Sequence, residues 1–272
     1  MTNHTSRPAH PLPFNPPRQA AVRVMLLFFA LLFAGCDQPT THPLPASADE
    51  TDTLQQGDTA PQAPRQQPRY TPTEQKLLDM GLVDVQELDS TIQVHLVYAT
   101  ADNFMGKVLY TDIHHAFLLP QLARKVVAAQ QELHSIRPDL SLLVLDAARP
   151  LSVQRAMFHQ VQGTPLNIYV SNPRNGPGLH NYGAAVDITL ADTFGNLLPM
   201  GSDFDYFGPE SHTDREAELL ASGRITQEDY DNRRLLRRLM RNQGLIPFHS
   251  EWWHFNLMSR TRAQQTLKSV DL

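Results

Sequence analysis

The chain has 272 residues, enough for one substantial domain with extensions. Its 23 Lys and Arg against 28 Asp and Glu give a net charge of −5, which excludes a general attraction to nucleic acid or anionic lipid. Hydrophobic residues make up 41%, as in a soluble globular protein with appendages, and the one cysteine, Cys36, excludes an intramolecular disulfide.

Arg18 and Arg23 precede an unbroken apolar run from Val24 to Phe33, closed by Ala34, Gly35 and Cys36. The basic flank, the short run and the small residues after it describe a secretory signal rather than a membrane span, which needs about 20 apolar residues. Phe33-Ala34-Gly35-Cys36 resembles a lipobox. That resemblance implies cleavage before Cys36, lipidation there and a membrane tether. With Asp37 next, it implies a periplasm-facing lipoprotein held at the inner membrane; a soluble periplasmic protein is the alternative. Residues 37–72 carry Pro39, Pro43, Pro45, Pro61, Pro64, Pro68 and Pro72 among Thr, Gln, Ser and Ala. Such a stretch buries too little apolar surface to offset ordering entropy and reads as a disordered spacer. The expected organisation is signal and lipidated cysteine over 1–36, tether over 37–72 and a folded domain over 73–265.

Within that domain a short helix is expected over 73–80, capped by Thr73, with Leu77, Leu78 and Met80 inward. Residues 91–98 alternate, placing Ile92, Val94, Leu96 and Tyr98 on one face of a half-buried strand and His95 exposed on the other. His114 and His115 are adjacent and point different ways, so joint metal binding is not expected. Pro120 opens a helix to about Ser135. Leu140 to Leu145 is nearly all apolar and reads as a strand buried on both faces. It ends in Asp146-Ala147-Ala148-Arg149-Pro150, where Arg149 is either a clamp for a carboxylate or oxyanion or a salt-bridge partner of Asp146. A helix over 152–162 with Ser152 as cap follows.

Residues 171–179 are loop, Gly183 suits a tight backbone position, and 185–190 alternate. Asp187 therefore projects opposite Val186, Ile188 and Leu190, among small residues that leave room for a bound group. Met200 to His212 is irregular and holds Asp203, Asp205 and Glu210, acids that are either solvated or hold a cation such as a substrate ammonium. Helices are expected over 213–223 and 226–242, the second capped by Thr226 and closed by Gly244. Its Arg233, Arg234, Arg237, Arg238 and Arg241 read as a solvated stripe. An aromatic strand over 246–258 closes the domain.

Two clusters carry the chemistry: His180 with Asp187, and Glu251 with His254. Two His and one carboxylate hold a catalytic zinc with a position left for water, and the second carboxylate can take that water's proton. Glu251 and His254 are three apart, which on a regular strand sets them on opposite faces. Both reach one site only if the backbone near Trp252 and Trp253 is irregular.

His180-x-x-Gly183-x-Ala185-x-Asp187 followed by Glu251-Trp252-Trp253-His254 resembles the D-alanyl-D-alanine dipeptidases of the vancomycin-resistance type. These belong to a superfamily with lysostaphin-like enzymes and the hedgehog signalling domain. The stretches 98–104, 146–150 and 232–236 match too, so the likeness spans roughly 74–260. It implies an α+β fold, a small antiparallel sheet with surrounding helices and a zinc site on one sheet face. It implies one zinc on His180, Asp187 and His254, Glu251 as general base and acid, and Arg149 stabilising the transition state. Asp205, Tyr98 and Asp146 are the implied substrate-binding residues. The family usually has Ser two residues before the first zinc His; this chain has Gly178. The implied partner is a small D-amino-acid dipeptide or a cell-wall peptide, with no nucleic acid. A DD-carboxypeptidase or endopeptidase on peptidoglycan peptides is one alternative, and an inactive wall-peptide-binding lipoprotein is another.

Overall fold

The computed structural model describes residues 69–272, so the signal, Cys36 and nearly all of the tether lie outside the described residues. The first helix, α1 (Pro72–Asp79), starts one residue earlier than its sequence suggests. Thr71, not Thr73, caps it, in a reciprocal capping box with Glu74 and with Pro at the first turn. Leu77 is buried, but Met80 is exposed rather than inward. Next come β1 (Val83–Asp84), the single turn α2 (Val85–Leu88) and β2 (Gln93–Val94).

The strand expected over 91–98 is thus cut to two residues. The chain leaves the sheet in a 3₁₀ turn, Val97–Ala99, because the next loop returns to Tyr98, whose carbonyl accepts the N–H groups of Leu109 and Tyr110. His95 is exposed, as expected. A short β3 (Phe117–Leu118) pairs antiparallel with β1 and leads into α3 (Pro120–Ile136).

β4 (Leu140–Asp146) is buried along its whole length. Leu142 and Val144 enter the main core, while Leu143 and Leu145 pack with Val97 and Ala191 on the other face. Helix α4 (Leu151–Val161) follows without a side-chain cap. Ser152 does not serve; the Leu151 N–H instead meets the carbonyl of Val270, near the end of the chain. Packing therefore runs past residue 265, and Val270 is buried. β5 (Ala185–Asp192), α5 (Glu216–Ala221), α6 (Gln227–Asn242), β6 (Ile246–Pro247), β7 (His254–Asn256) and α7 (Arg260–Thr266) complete the domain.

The main sheet has the order β2-β4-β5-β7-β6. The fold is α+β, but the sheet is mixed rather than antiparallel throughout, since β2 runs parallel to β4. The reason is connectivity: β2 reaches β4 through the 3₁₀ turn, β3 and α3, a crossover long enough for parallel pairing. Among the described residues no helix is long and apolar enough to cross a membrane.

Candidate active site

The register of three strands builds the floor of the site. Asp187 on β5 lies opposite Asp146 on β4 and opposite His254 on β7. Directly opposed residues have Cβ atoms about 5 Å apart, so the three side chains form one row. Alternation alone would send Asp146 into the core with Leu142 and Val144. A bulge between Val144 and Asp146, where two β4 steps face one on β5, turns it to the Asp187 face instead.

His180 reaches the row from a 3₁₀ turn just before β5. That turn ends at Gly183, whose φ of 63° puts it in the left-handed region. A Cβ there would lie 2.7 Å from Leu82 Cδ2 and 3.3 Å from the Leu119 nitrogen, so glycine is required twice over. Glu251 arrives from the other side. The aromatic strand expected over 246–258 is a short hairpin, and residues 248–253 form its turn. This irregular backbone carries Glu251 and His254 to one place. Both tryptophans beside them are buried.

The donor atoms converge. His180 Nε2 lies 3.1 Å from His254 Nδ1 and 3.3 Å from Asp187 Oδ1, and His254 Nδ1 lies 2.9 Å from the same oxygen. The ring nitrogens facing away fix the tautomers. His180 Nδ1–H donates to the Ala147 carbonyl at 2.8 Å, and His254 Nε2–H donates to Asn256 Oδ1 at 2.8 Å. Rings held this way turn their two inward nitrogens and a carboxylate oxygen toward one point. Three such groups this close together favour a shared cation between them. Two nitrogens and one oxygen within 4.8 Å of one another form a set that could hold a metal ion and suits a divalent ion of borderline softness.

The electrostatics agree. Burial would lower the His180 pKa, yet Asp187 raises it overall. Burial would raise Asp187, yet His180 and His254 hold it far below the carboxylate range.

Glu251 Oε2 stands 3.8 Å from His254 Nδ1. Burial, with Asp187 and Asp205 adding to it, pushes Glu251 up to about 7 against the pull of His254 and Arg149. On the far side of Asp187, Arg149 Nη2 is 3.8 Å from its Oδ2. The open question about Arg149 resolves as a salt bridge that also faces the site. Its Nε and Nη2 donate to Asp146 Oδ2 at 3.0 and 2.6 Å, and its Nη1 donates to Gln154 Oε1 at 2.9 Å. Tyr110 OH donates to the other Asp146 oxygen at 2.6 Å. Asp146 is thus committed to fixing Arg149 rather than left free for a ligand.

The Arg149 guanidinium lies 5.2 Å over the Tyr98 ring, and Tyr98 OH donates to Asp205 Oδ2 at 2.8 Å. Asp205 adopts φ 57°, rare without glycine, and burial pushes its carboxyl up to about 8. Asp203 is exposed, and Glu210 pairs with Arg224 on the surface. Of the expected residues, His180, Asp187, His254, Glu251, Arg149 and Asp146 come together, with Tyr98 and Asp205 forming the next wall. His115 instead bonds Glu74, remote in sequence from all of these.

Sequence reasoning missed Tyr110, Gln154, Asn181 and Asn256. Asn181 accepts the Gly178 N–H and donates to the Arg149 carbonyl, tying the two loops. Only Asn256 had a signal, two residues beyond His254 on the same strand face.

Comparison with known proteins places the family. The peptidase M15 family model, described as D-ala-D-ala dipeptidase, matches residues 78–270. The chain is 34% identical over 179 residues to the D-alanyl-D-alanine dipeptidase of Escherichia coli K12, covering 65% of this chain and 84% of that protein. It is 31% identical over 200 residues to the one from Enterococcus faecium, covering 66% and 93%. Against that of Streptomyces coelicolor it is 30% identical over 199 residues, covering 66% and 91%. The matched stretch contains every residue of the row and both loops that complete it, and the chain belongs to the D-Ala-D-Ala dipeptidase family of peptidases.

Proposed function

We propose that this enzyme hydrolyses the D-alanyl-D-alanine dipeptide with one zinc ion held by His180, Asp187 and His254. The observation that carries the reading is the convergence of two tautomer-fixed imidazoles and a carboxylate on one point, with Glu251 and Arg149 on either side. Bound there, zinc would supply a Lewis acid for the scissile carbonyl and would make the attacking water more acidic. Glu251, little solvated and pushed up to about 7, is the base that takes the attacking water's proton and returns it to the leaving amine. Arg149, its fork fixed by Asp146 and Gln154, donates to the oxygen on which charge develops. Asp205, backed by Tyr98, takes the substrate ammonium, whose positive charge favours the ionised carboxyl.

The test measures hydrolysis of D-Ala-D-Ala beside a pentapeptide ending in D-Ala-D-Ala, with metal content determined before and after chelation. Dipeptide cleavage that disappears on chelation and returns with zinc is the expected result. Cleavage of the pentapeptide alone would transfer the reading to a DD-carboxypeptidase.

We further infer from Phe33-Ala34-Gly35-Cys36 that the mature enzyme is lipidated at Cys36 and faces the periplasm. Cys36→Ser should move it from the membrane fraction to the soluble one; unchanged fractionation would remove the anchor.

A further inference from the structure

Five arginines lie between 233 and 241 on α6, and one of them does not behave as a surface residue. Arg233 is 1% exposed, among the largest fully buried side chains. Burying a guanidinium costs several kcal/mol unless a partner compensates. The nearest carboxylate, Glu216, is already held through both oxygens by Arg237 at 2.8 and 2.6 Å. It stands 4.0 Å from Arg233 Nη1, which has no hydrogen-bond partner among the described residues. Burial pulls the Arg233 pKa down to about 10, so the side chain is still charged at neutral pH. An apolar residue would fill this space at lower cost, so the fork itself is what the position uses.

The fork bridges one loop at its two ends. Nε donates to the Met200 carbonyl and Nη2 donates to the Glu210 carbonyl at 2.7 Å. A third fastening comes from Trp252, whose ring lies 5.8 Å from the same guanidinium and whose Nε1–H donates to Ser202 Oγ at 2.9 Å. Residues 200, 202 and 210 bracket the segment that presents Asp205 to Tyr98 OH, and Asp205 sits there in a left-handed conformation that needs support. Trp252 is also the neighbour of Glu251. A planar donor pair spanning two carbonyls is a task for arginine; lysine offers one point charge.

We propose that Arg233 is a positioning residue that sets Asp205 for the substrate ammonium by clamping both ends of residues 200–210, with Trp252 as its second fastening. The inference rests on the reading of Asp205 given above.

The test compares D-Ala-D-Ala with its desamino analogue, propionyl-D-alanine, on zinc-loaded enzyme. The variants are Arg233→Met, Arg233→Lys, Trp252→Phe and Asp205→Asn, each with metal content and melting temperature recorded. Both Arg233 variants should raise KM for the dipeptide about tenfold, the scale of one lost charge-assisted contact, while kcat falls less than about threefold. The preference for the ammonium-bearing substrate should shrink in Arg233→Met and Arg233→Lys, and less in Trp252→Phe, which keeps an aromatic face of smaller size and loses the indole N–H. A fall in apparent kcat in proportion to metal content or folded fraction, with KM and the substrate preference unchanged, would make Arg233 merely structural and overturn the proposal. An intact preference in the Arg233 and Trp252 variants, with the preference lost in Asp205→Asn, would overturn the positioning role and keep Asp205. An intact preference in Asp205→Asn would overturn both. Should Arg233→Met fail to fold, Arg233→Lys and Trp252→Phe decide.

Discussion

Glu74 and Glu251 are carboxylates drawn out of water, and their surroundings push them in opposite directions. Glu74 is fully buried between α1 and the loop before β3. Its Oε1 accepts the N–H groups of His114 at 2.7 Å and His115 at 3.0 Å and meets the His115 ring at 2.8 Å; its Oε2 accepts Thr71 N–H at 2.9 Å. Burial alone would raise its pKa, but these donors outweigh it and hold Glu74 below the ordinary range. Glu251 is also removed from water, but its side chain is left facing His254 at 3.8 Å, and burial prevails, raising it to about 7. Donors aimed at a carboxylate make it a fixed anion that holds elements together. A carboxylate without them can trade a proton.

Substitution can break that contrast. Glu251→Ala should lower kcat by about 10³-fold, within the range of a lost general base, with zinc content intact and unfolding free energy unchanged or raised. Turnover close to that of the parent would remove Glu251 from the chemistry. Glu74→Ala should do the reverse: it orphans several buried donors and should cost about 3 kcal/mol in denaturant unfolding, with kcat per folded molecule unchanged. If the two variants behaved alike, the distinction between anchor and proton carrier would collapse.

Arg149→Lys sharpens the comparison from the cationic side. A lysine cannot hold Asp146 and Gln154 together, and kcat should fall by about 10²-fold with a smaller change in KM. Equal losses in ground-state binding would assign Arg149 to the substrate rather than to the transition state. Gly183→Ala probes the scaffold, since the new Cβ meets Leu82 at 2.7 Å in a left-handed conformation; a stability loss of about 2 kcal/mol is expected. An unchanged melting temperature would show that the Leu82 side chain yields freely.

The smallest effect concerns pH. The Glu74 pKa is depressed in the folded state, so its stabilisation is complete above the ordinary glutamate pKa and lost as pH falls through the folded value. Glu74→Gln should flatten the acid limb of the stability profile and leave the neutral region's slope unchanged. A parallel profile in the two proteins would mean that other carboxylates carry the acid sensitivity.

Much of the site was legible in order along the chain. Alternation over 185–190 gave the face of Asp187, and the Pro and Gly content of 171–179 gave the loop before His180. The gap between Glu251 and His254 requires irregular backbone, and the hairpin turn over 248–253 provides it. The strand over 91–98 was misread because its alternation reports one buried face and not the return of residues 109 and 110 to Tyr98. The arginine stripe was misread at Arg233, where charge suggested solvent and two loop carbonyls lay in wait.

By itself the sequence determined which chemical groups the enzyme has and which face of each local element bears them, because period and turn chemistry are local. It determined the imidazoles, the carboxylates, the buried strand over 140–145 and the glycine at 183. Tertiary structure decided which groups meet. The β4–β5–β7 register sets Asp146, Asp187 and His254 in one row, and the bulge turns Asp146 toward them. The Ala147 carbonyl and Asn256 choose which nitrogen each histidine offers. Whether a buried carboxylate becomes an anchor or a proton carrier depends on donors contributed by distant segments such as His114 and His115, and only the folded chain brings those to 2.7 and 3.0 Å from Glu74.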